Sequence, residues 1–272
     1  MLFSGTITDL RRTGMAFDYE NFKQDVYKLT NINLTMYKER QMKRRIESLM
    51  NRKGYSNFDA YFQAMKKDDA LLRSFVSYLT INVSEFYRNP KQWEVFEQQM
   101  IPYLKSQFGN KINIWSAACS TGDEPYTIAM LLSKHFPLNQ IKVLATDIDE
   151  DVLAIAQEGY YQARSLERLP KDMLYKHFTK RDNGYQINDD IKKCVEFRKH
   201  NLLEDKYPTS MHMIVCRNVV IYFTDEAKDG VYAKFHRTLE KNGMLFIGST
   251  EQIIHAKEIG FESTNSFFYK KL

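Results

Sequence analysis

Apolar positions recur with a helical period from residue 17 to about 105, interrupted near 31–33, 53–57 and 88–90. Met42, Ile46, Leu49 and Met50 stand at i, i+4, i+7 and i+8 and form one helical face. Ser56, with Asp59 three residues on, suggests a capping box for the next helix. After Gly109 the period changes. Short apolar runs at 111–116, 141–146, 194–198, 211–216 and 243–248 predict strands, and two more are expected at 260–262 and 266–270. Helical stretches near 125–135, 149–158 and 225–240 lie between them. Strands alternating with helices imply right-handed crossovers and a mostly parallel sheet covered on both faces.

Two stretches depart from this scheme. Residues 1–14 have no clear periodicity and are expected to be a flexible or non-native extension. Residues 159–193 are rich in Tyr, Lys and Arg, and Asn183-Gly184 signals a hairpin turn, so a small antiparallel insertion is expected there. The expected organisation is an extension at 1–14, a helical domain at 15–90 and an α/β domain at 91–272 carrying the insertion.

Composition narrows the class. The 272 residues are 43% hydrophobic and include 18 Phe and 17 Tyr, enough aromatic mass for a substantial core. No run approaches a transmembrane span, and the start of the chain lacks the pattern of a signal peptide. Three cysteines without a C-x-x-C argue against a disulfide framework and a Cys-rich zinc site, and a reducing cytoplasm is expected. The six histidines show no metal-ligand spacing, so no metal site is expected.

Charge is uneven. Residues 1–90 hold fifteen Lys/Arg against ten Asp/Glu, whereas the remainder is balanced, so the whole net charge of +5 lies in the first third. Lys38, Arg40, Lys43, Arg44, Arg45, Arg52 and Lys53 crowd into one stretch, with Arg40 and Arg44 roughly opposite the apolar face. Such a face is either simply solvated or docks to something acidic. Interrupting acids, and the lack of aromatics among the basic residues, argue against nucleic acid.

Candidate chemistry gathers at strand ends, where ligands bind in open α/β sheets. The run Ala117-Ala118-Cys119-Ser120-Thr121-Gly122-Asp123-Glu124-Pro125 lets the backbone turn sharply and approach a ligand. It lacks the glycine pattern of a dinucleotide fold and the G-K-[ST] of a P-loop. Glu124 would repel an anion and pair with a cation. Asp147, ending the second strand, can accept from a ribose diol, and Asp149 reads as the N-cap of the next helix. Asn201 could present a donor and an acceptor to an adenine edge while Leu202 packs on the ring; the alternative is an Asx-turn. Asn218 ends another strand, and Tyr222 faces either the reacting centre or the core. A helix carrying Asn82, Ser84 and Arg88 among aromatics reads as a lid over the pocket.

Taken together, Asn82-Val83-Ser84-Glu85-Phe86-Tyr87-Arg88, the Trp115–Tyr126 run, Ala145-Thr146-Asp147-Ile148, His200-Asn201-Leu202 and Cys216–Phe223 resemble the chemotaxis receptor methyltransferases, the CheR family. The resemblance covers about 17–272. Ser84 stands where the family more often has Thr, and Tyr87 where it often has Phe; each change keeps the hydroxyl or the ring. The resemblance implies an all-α N-terminal domain and a Rossmann-like, S-adenosylmethionine (SAM)-dependent methyltransferase domain with a seven-stranded sheet and a small β-subdomain. It implies methyl transfer from SAM to glutamate side chains of chemoreceptor cytoplasmic helices, leaving S-adenosylhomocysteine. Asn82, Ser84, Arg88, Glu124, Asp147, Asn201, Leu202, Asn218 and Val219 match the family's cofactor-binding positions, and Arg88 and Tyr222 match positions near the transferred methyl. Arg40, Lys43 and Arg44 are the expected receptor contacts, and a cytoplasmic monomer without nucleic-acid binding or membrane insertion is expected. The competing readings are a methyltransferase for nucleic acid or a small molecule, and a catalytically silent SAM-binding adaptor.

Overall fold

The computed structural model describes the backbone from residue 7 and the side chains from residue 18 onward. The chain divides into two compact units. One runs to Ile81 and takes in Tyr222–Ala227; the other comprises Asn82–Ile221 and Lys228–Leu272. The division at 81/82 comes earlier than the expected boundary at 90. The motif that starts at Asn82 therefore belongs wholly to the second unit.

The first unit contains helices α1 (Ile7–Thr30), α2 (Glu39–Arg52), α3 (Phe58–Met65) and α4 (Asp69–Leu79). Helical backbone thus reaches into the expected extension at 1–14, of which residues 1–6 lie outside the described residues. The stripe of α2 is buried as its spacing predicts: Met42, Ile46, Leu49 and Met50 all face inward. They join an aromatic core in which Phe22 meets Phe58 at 4.9 Å and Phe75 edge-on at 6.0 Å. The N-cap of α3 is Asn57, whose side chain accepts from Ala60 N at 2.8 Å, rather than the expected Ser56. Asn57 sits one residue closer to the first turn, where its Oδ1 can reach the exposed N–H groups. Asp68 caps α4 through Ala70 N and Leu71 N. Phe223 bridges Tyr37, and Lys38 N donates to the Tyr222 carbonyl at 3.0 Å, which ties 222–224 to the helical unit.

The second unit opens with α5 (Pro90–Val95), a π-helical turn at Phe96–Met100 and α6 (Ile101–Phe108). Then follow β1 (Asn113–Ala117), α7 (Asp123–Leu132), β2 (Lys142–Asp147) and α8 (Glu150–Glu158). The insertion comprises β3 (Tyr160–Gln162), α9 (Lys171–His177), β4 (Phe178–Arg181) and β5 (Gly184–Ile187). The chain continues through α10 (Asp189–Lys192), β6 (Val195–Lys199), β7 (Met211–Cys216), α11 (Asp225–Thr238), β8 (Leu239–Ile247), α12 (Ala256–Ile259), β9 (Phe261–Asn265) and β10 (Phe268–Lys271). The first three residues of α11 count with the helical unit.

The main sheet has seven strands in the order β6-β2-β1-β7-β8-β10-β9. Every pair from β6 to β8 is parallel, and β10 runs antiparallel to both neighbours. Its central strands are buried on both faces, which is why they read as near-continuous apolar runs such as Met213–Cys216. The insertion is the expected antiparallel sheet, with strand order β3-β5-β4. Phe86, fully buried, meets Tyr161 at 4.7 Å and Phe178 at 5.4 Å, so the insertion anchors the segment that follows Asn82. Chain order reverses between β1 and β7. This is the topological switch point, where the loops after adjacent strands part and leave a crevice.

The expected helix over 80–88 does not form. Residues 82–85 carry no regular structure and a turn follows; Ile81, Tyr87 and Asn89 all have positive φ, at 50°, 57° and 61°. Left-handed residues at this density cannot propagate a right-handed helix.

Candidate active site

The cleft at the switch point is lined by Val83, Ser84, Glu85 and Arg88 on one side, by Ala118, Cys119, Ser120 and Glu124 beyond β1, and by Arg217 and Asn218 beyond β7. Sharp backbone turns make it. Ala118, Ser120 and Gly122 all have positive φ, at 66°, 48° and 90°. A Cβ at Gly122 would come within 2.9 Å of the Ala156 side chain, so only glycine closes the turn against α8. The Cys119 amide donates to the Thr146 carbonyl at 2.8 Å, and the Tyr161 hydroxyl to the Thr121 carbonyl at 2.7 Å. Together these hold the loop open above the sheet.

Acidic side chains dominate the floor. Glu124, on the first turn of α7, accepts from Ser116 Oγ at 2.8 Å, and its other oxygen lies 3.4 Å from Arg217 Nη1. Burial pushes the Glu124 carboxyl up, and the Arg217 guanidinium pulls it back down. Asp123, almost fully buried, accepts from Thr121 Oγ1 at 2.6 Å, and Ser84 also bonds to it; burial raises its pKa as well. Asp147 Oδ2 accepts from Ser120 N at 2.8 Å and Oδ1 from Asp149 N at 3.1 Å. Desolvation pushes the Asp147 carboxyl up to about 6, opposed by those backbone hydrogen bonds. The Ile148 amide also bonds to this carboxylate; with about four lone-pair sites, the three bonds leave acceptor capacity for one more partner. Ser120 Oγ is buried with no hydrogen-bond partner among the described residues.

Of the residues expected to hold the cofactor, Ser84, Arg88, Glu124 and Asn218 line this cleft. Arg88 is half-buried, and its Nη1 donates to the Val83 carbonyl at 3.1 Å. Asn82 and Asp147 meet through Asp149, the N-cap of α8 as expected. Asn201 and Leu202 do not line the cleft, and both are buried. Asn201 Oδ1 accepts from Leu203 N at 3.0 Å, so its side chain makes the Asx-turn that was the alternative to an adenine contact. Leu202 is packed inside, with its carbonyl accepting from the Tyr207 hydroxyl at 2.7 Å. Val219 donates its N–H to Glu251 Oε1 at 2.9 Å. Tyr222 falls in the compact unit that contains the helices α1–α4.

Sequence reasoning missed two side chains that shape the site. Arg217 contacts Glu124 and the Arg88 carbonyl. The one signal for it was a lone cation ending an apolar strand. Glu251 gathers the amides of Asn218, Val219 and Gly248 at 2.6–2.9 Å and thereby fixes the turn that carries Asn218 at φ 61°. A Cβ at Gly248 would lie 2.7 Å from both Asn218 N and Glu251 Oε2, so that turn can close only over glycine. Nothing local in the sequence marks Glu251. Cys119, Cys194 and Cys216 are all free and buried, and burial raises each thiol.

Residues 82–268 match the family model described as "CheR methyltransferase, SAM binding domain", and residues 18–80 match "CheR methyltransferase, all-alpha domain". A chemotaxis protein methyltransferase of Listeria innocua serovar 6a is 42% identical over 254 residues, which cover 93% of this chain and 97% of that protein. A chemotaxis protein methyltransferase of Borreliella burgdorferi is 34% identical over 249 residues, with 87% and 88% covered. Chemotaxis protein methyltransferase 2 of Vibrio cholerae serotype O1 is 32% identical over 252 residues, with 89% and 88% covered.

Proposed function

The chain belongs to the CheR methyltransferase family, and from that premise we propose that it methylates glutamate side chains on the cytoplasmic helices of chemoreceptors, with SAM as methyl donor. The observation that carries this reading is the 42% identity to a chemotaxis protein methyltransferase over nearly the full length of both chains. Among the described residues, no helix is long and apolar enough to cross a membrane.

The residues of the cleft suit a cationic nucleoside. Asp147, at the end of β2, is buried, and Glu124, on the first turn of α7, is largely so; the buried Ser120 hydroxyl lacks a partner among the described residues. Such a floor repels phosphate and attracts a sulfonium or an ammonium. When bound, SAM supplies an electrophilic methyl group on a positively charged sulfur. Glu124 offers a carboxylate to a cationic group, Asp147 offers acceptors to a diol, and Asn218 offers an amide beside them. Asn201, Leu202 and Val219 act from behind, by holding the loops after β6 and β7.

The acceptor needs no general base, because a glutamate with a reference pKa near 4.3 is already ionised at pH 7. The work of the chain is then positioning, for which effective molarities of about 10⁵ M or more are possible. Arg88 orients the acceptor carboxylate. Arg88 must not hold the carboxylate too tightly. Charge disappears as the ester forms, and uniform ground-state binding lowers KM without raising kcat. Arg40, Lys43 and Arg44 supply a positive face to acidic receptor helices. Arg40 and Arg44 are exposed, whereas Lys43 lies 5.1 Å over the Tyr19 ring and is half-buried, so Arg40 and Arg44 are the stronger pair.

The test is incubation of purified receptor cytoplasmic fragments with methyl-labelled SAM, followed by base treatment. Release of the label as volatile methanol supports a glutamate ester. Label that stays on the fragment through base would exclude a glutamate ester, and no transfer at all would leave a methyltransferase for nucleic acid or a small molecule, or a silent SAM-binding adaptor.

A further inference from the structure

Arg217 is the first residue past β7, and its side chain is 3% exposed. Its guanidinium lies 5.0 Å from the Trp93 ring and 4.8 Å from the Phe246 ring. Nη1 is 3.4 Å from Glu124 Oε2. Nη2 donates to the Arg88 backbone carbonyl at 2.8 Å and to Gln92 Oε1 at 2.9 Å. Burying a guanidinium is costly, and an apolar side chain of similar volume fills such a place with less penalty. A cation kept here must therefore do more than pack. Its two ends contact two different parts of the cleft: the acid beyond β1, and the left-handed turn at Tyr87–Asn89 that presents Arg88.

We propose that Arg217 is the positioning residue of the transfer site, fixing Glu124 for the cofactor with one arm of its fork and the turn that carries Arg88 with the other. This rests on the reading that Glu124 serves the cofactor and Arg88 the acceptor. The planar fork is required. Lysine is a point charge and cannot hold a carboxylate and a carbonyl at fixed separation.

The experiment is a double-mutant cycle on the full chain, with S-adenosylhomocysteine affinity measured by calorimetry and kcat and KM measured on receptor fragments. Arg217→Met should weaken product binding about tenfold in the wild-type background and less than about twofold in the Glu124→Gln background, because it acts through Glu124. Arg217→Lys should keep product affinity within about threefold, yet lose about tenfold or more in kcat as the Arg88 turn is released. If Arg217→Met fails to fold, Arg217→Gln closes the same cycle. Equal losses in both backgrounds, or full kcat in Arg217→Lys, would overturn the role of Arg217 alone. Glu124→Gln binding product as the wild type does would overturn the underlying reading of the site, an outcome distinct from an additive cycle.

Discussion

Asn82 Nδ2 donates to Asp149 Oδ2 at 2.7 Å across 67 residues of sequence. Asp149 in turn caps α8 through Asp151 N and gives its own N–H to Asp147 Oδ1. One amide thus fastens the segment that borders the cleft to the acid at the end of β2. A neutral donor on a buried carboxylate is worth about 1.5–3 kcal/mol. Asn82→Ala should lose that much stability, read as a lower urea midpoint at unchanged slope. Asn82→Asp should be worse, because it sets two carboxylates side by side.

Asp147 gives a prediction in affinity and in pH. Asp147→Ala should cost roughly tenfold or more in S-adenosylhomocysteine affinity. Its folded pKa is raised from 3.8 to about 6 by burial, so the native state holds its proton more tightly than the unfolded chain does. The stabilisation from that proton is complete below the unfolded pKa and is lost as pH rises through about 6. Ligand binding runs the opposite way, since the acceptor is the ionised form. Product affinity in the wild type should fall between pH 7 and 5, and Asp147→Asn should flatten that fall. Glu124 and Asp123 also have raised pKa values and border the same cleft. A calorimetric series showing the same slope in Asp147→Asn would assign the titration to them instead.

Arg88 separates binding from turnover. Its guanidinium donates to the Val83 carbonyl at 3.1 Å on the cleft rim, a single local bond that leaves most of its fork for an acceptor. Arg88→Ala should therefore lose far more in kcat than in SAM affinity, and Arg88→Lys should rescue poorly. Near-normal turnover in the lysine variant would reduce Arg88 to a structural residue.

The exposed pair on α2 should govern encounter with the receptor. Replacing Arg40 and Arg44 by Glu should raise KM for receptor fragments and weaken its salt dependence, because complementary charge steers association. Melting temperature should hardly move, since both side chains are exposed while Met42, Ile46, Leu49 and Met50 carry the packing. Initial rates between about 20 and 300 mM salt decide the matter, because the Debye length shortens to about 8 Å near physiological strength. An unchanged KM at low salt would leave the face merely solvated.

Periodicity alone carried the architecture. The α2 stripe, the alternation of strand and helix after Gly109, and the hairpin signalled by Asn183-Gly184, whose turn falls one residue earlier at Asp182-Asn183, are local patterns, and local patterns reflect which face of an element is buried. The same logic located Asp147 at the end of β2 and Glu124 in the loop-to-helix turn beyond β1. Where the sequence misled, a contact distant in sequence overrode a local preference. Residues 80–88 looked helical, but Phe86 is buried against Tyr161 and Phe178, and Ser84 bonds Asp123. Those contacts hold the backbone in turns that an isolated segment would not adopt. Ser56 was the expected cap of α3, and the placement of its first turn gives that role to Asn57.

What the sequence by itself determined is therefore the alternation of strands and helices after Gly109 and the family, because hydrophobic spacing and contiguous motifs are properties of neighbours along the chain. What only the tertiary structure decided is which polar groups meet. Arg217 reaches Glu124 and the Arg88 carbonyl, Glu251 gathers the amides around Asn218, and the Asn201 side chain commits its oxygen to Leu203 N. Each buried donor or acceptor must find a partner within about 3 Å or lose its hydration uncompensated. With partners 93 and 129 residues away for Arg217, that choice is made by the packing of the sheet and leaves no periodic trace in the chain.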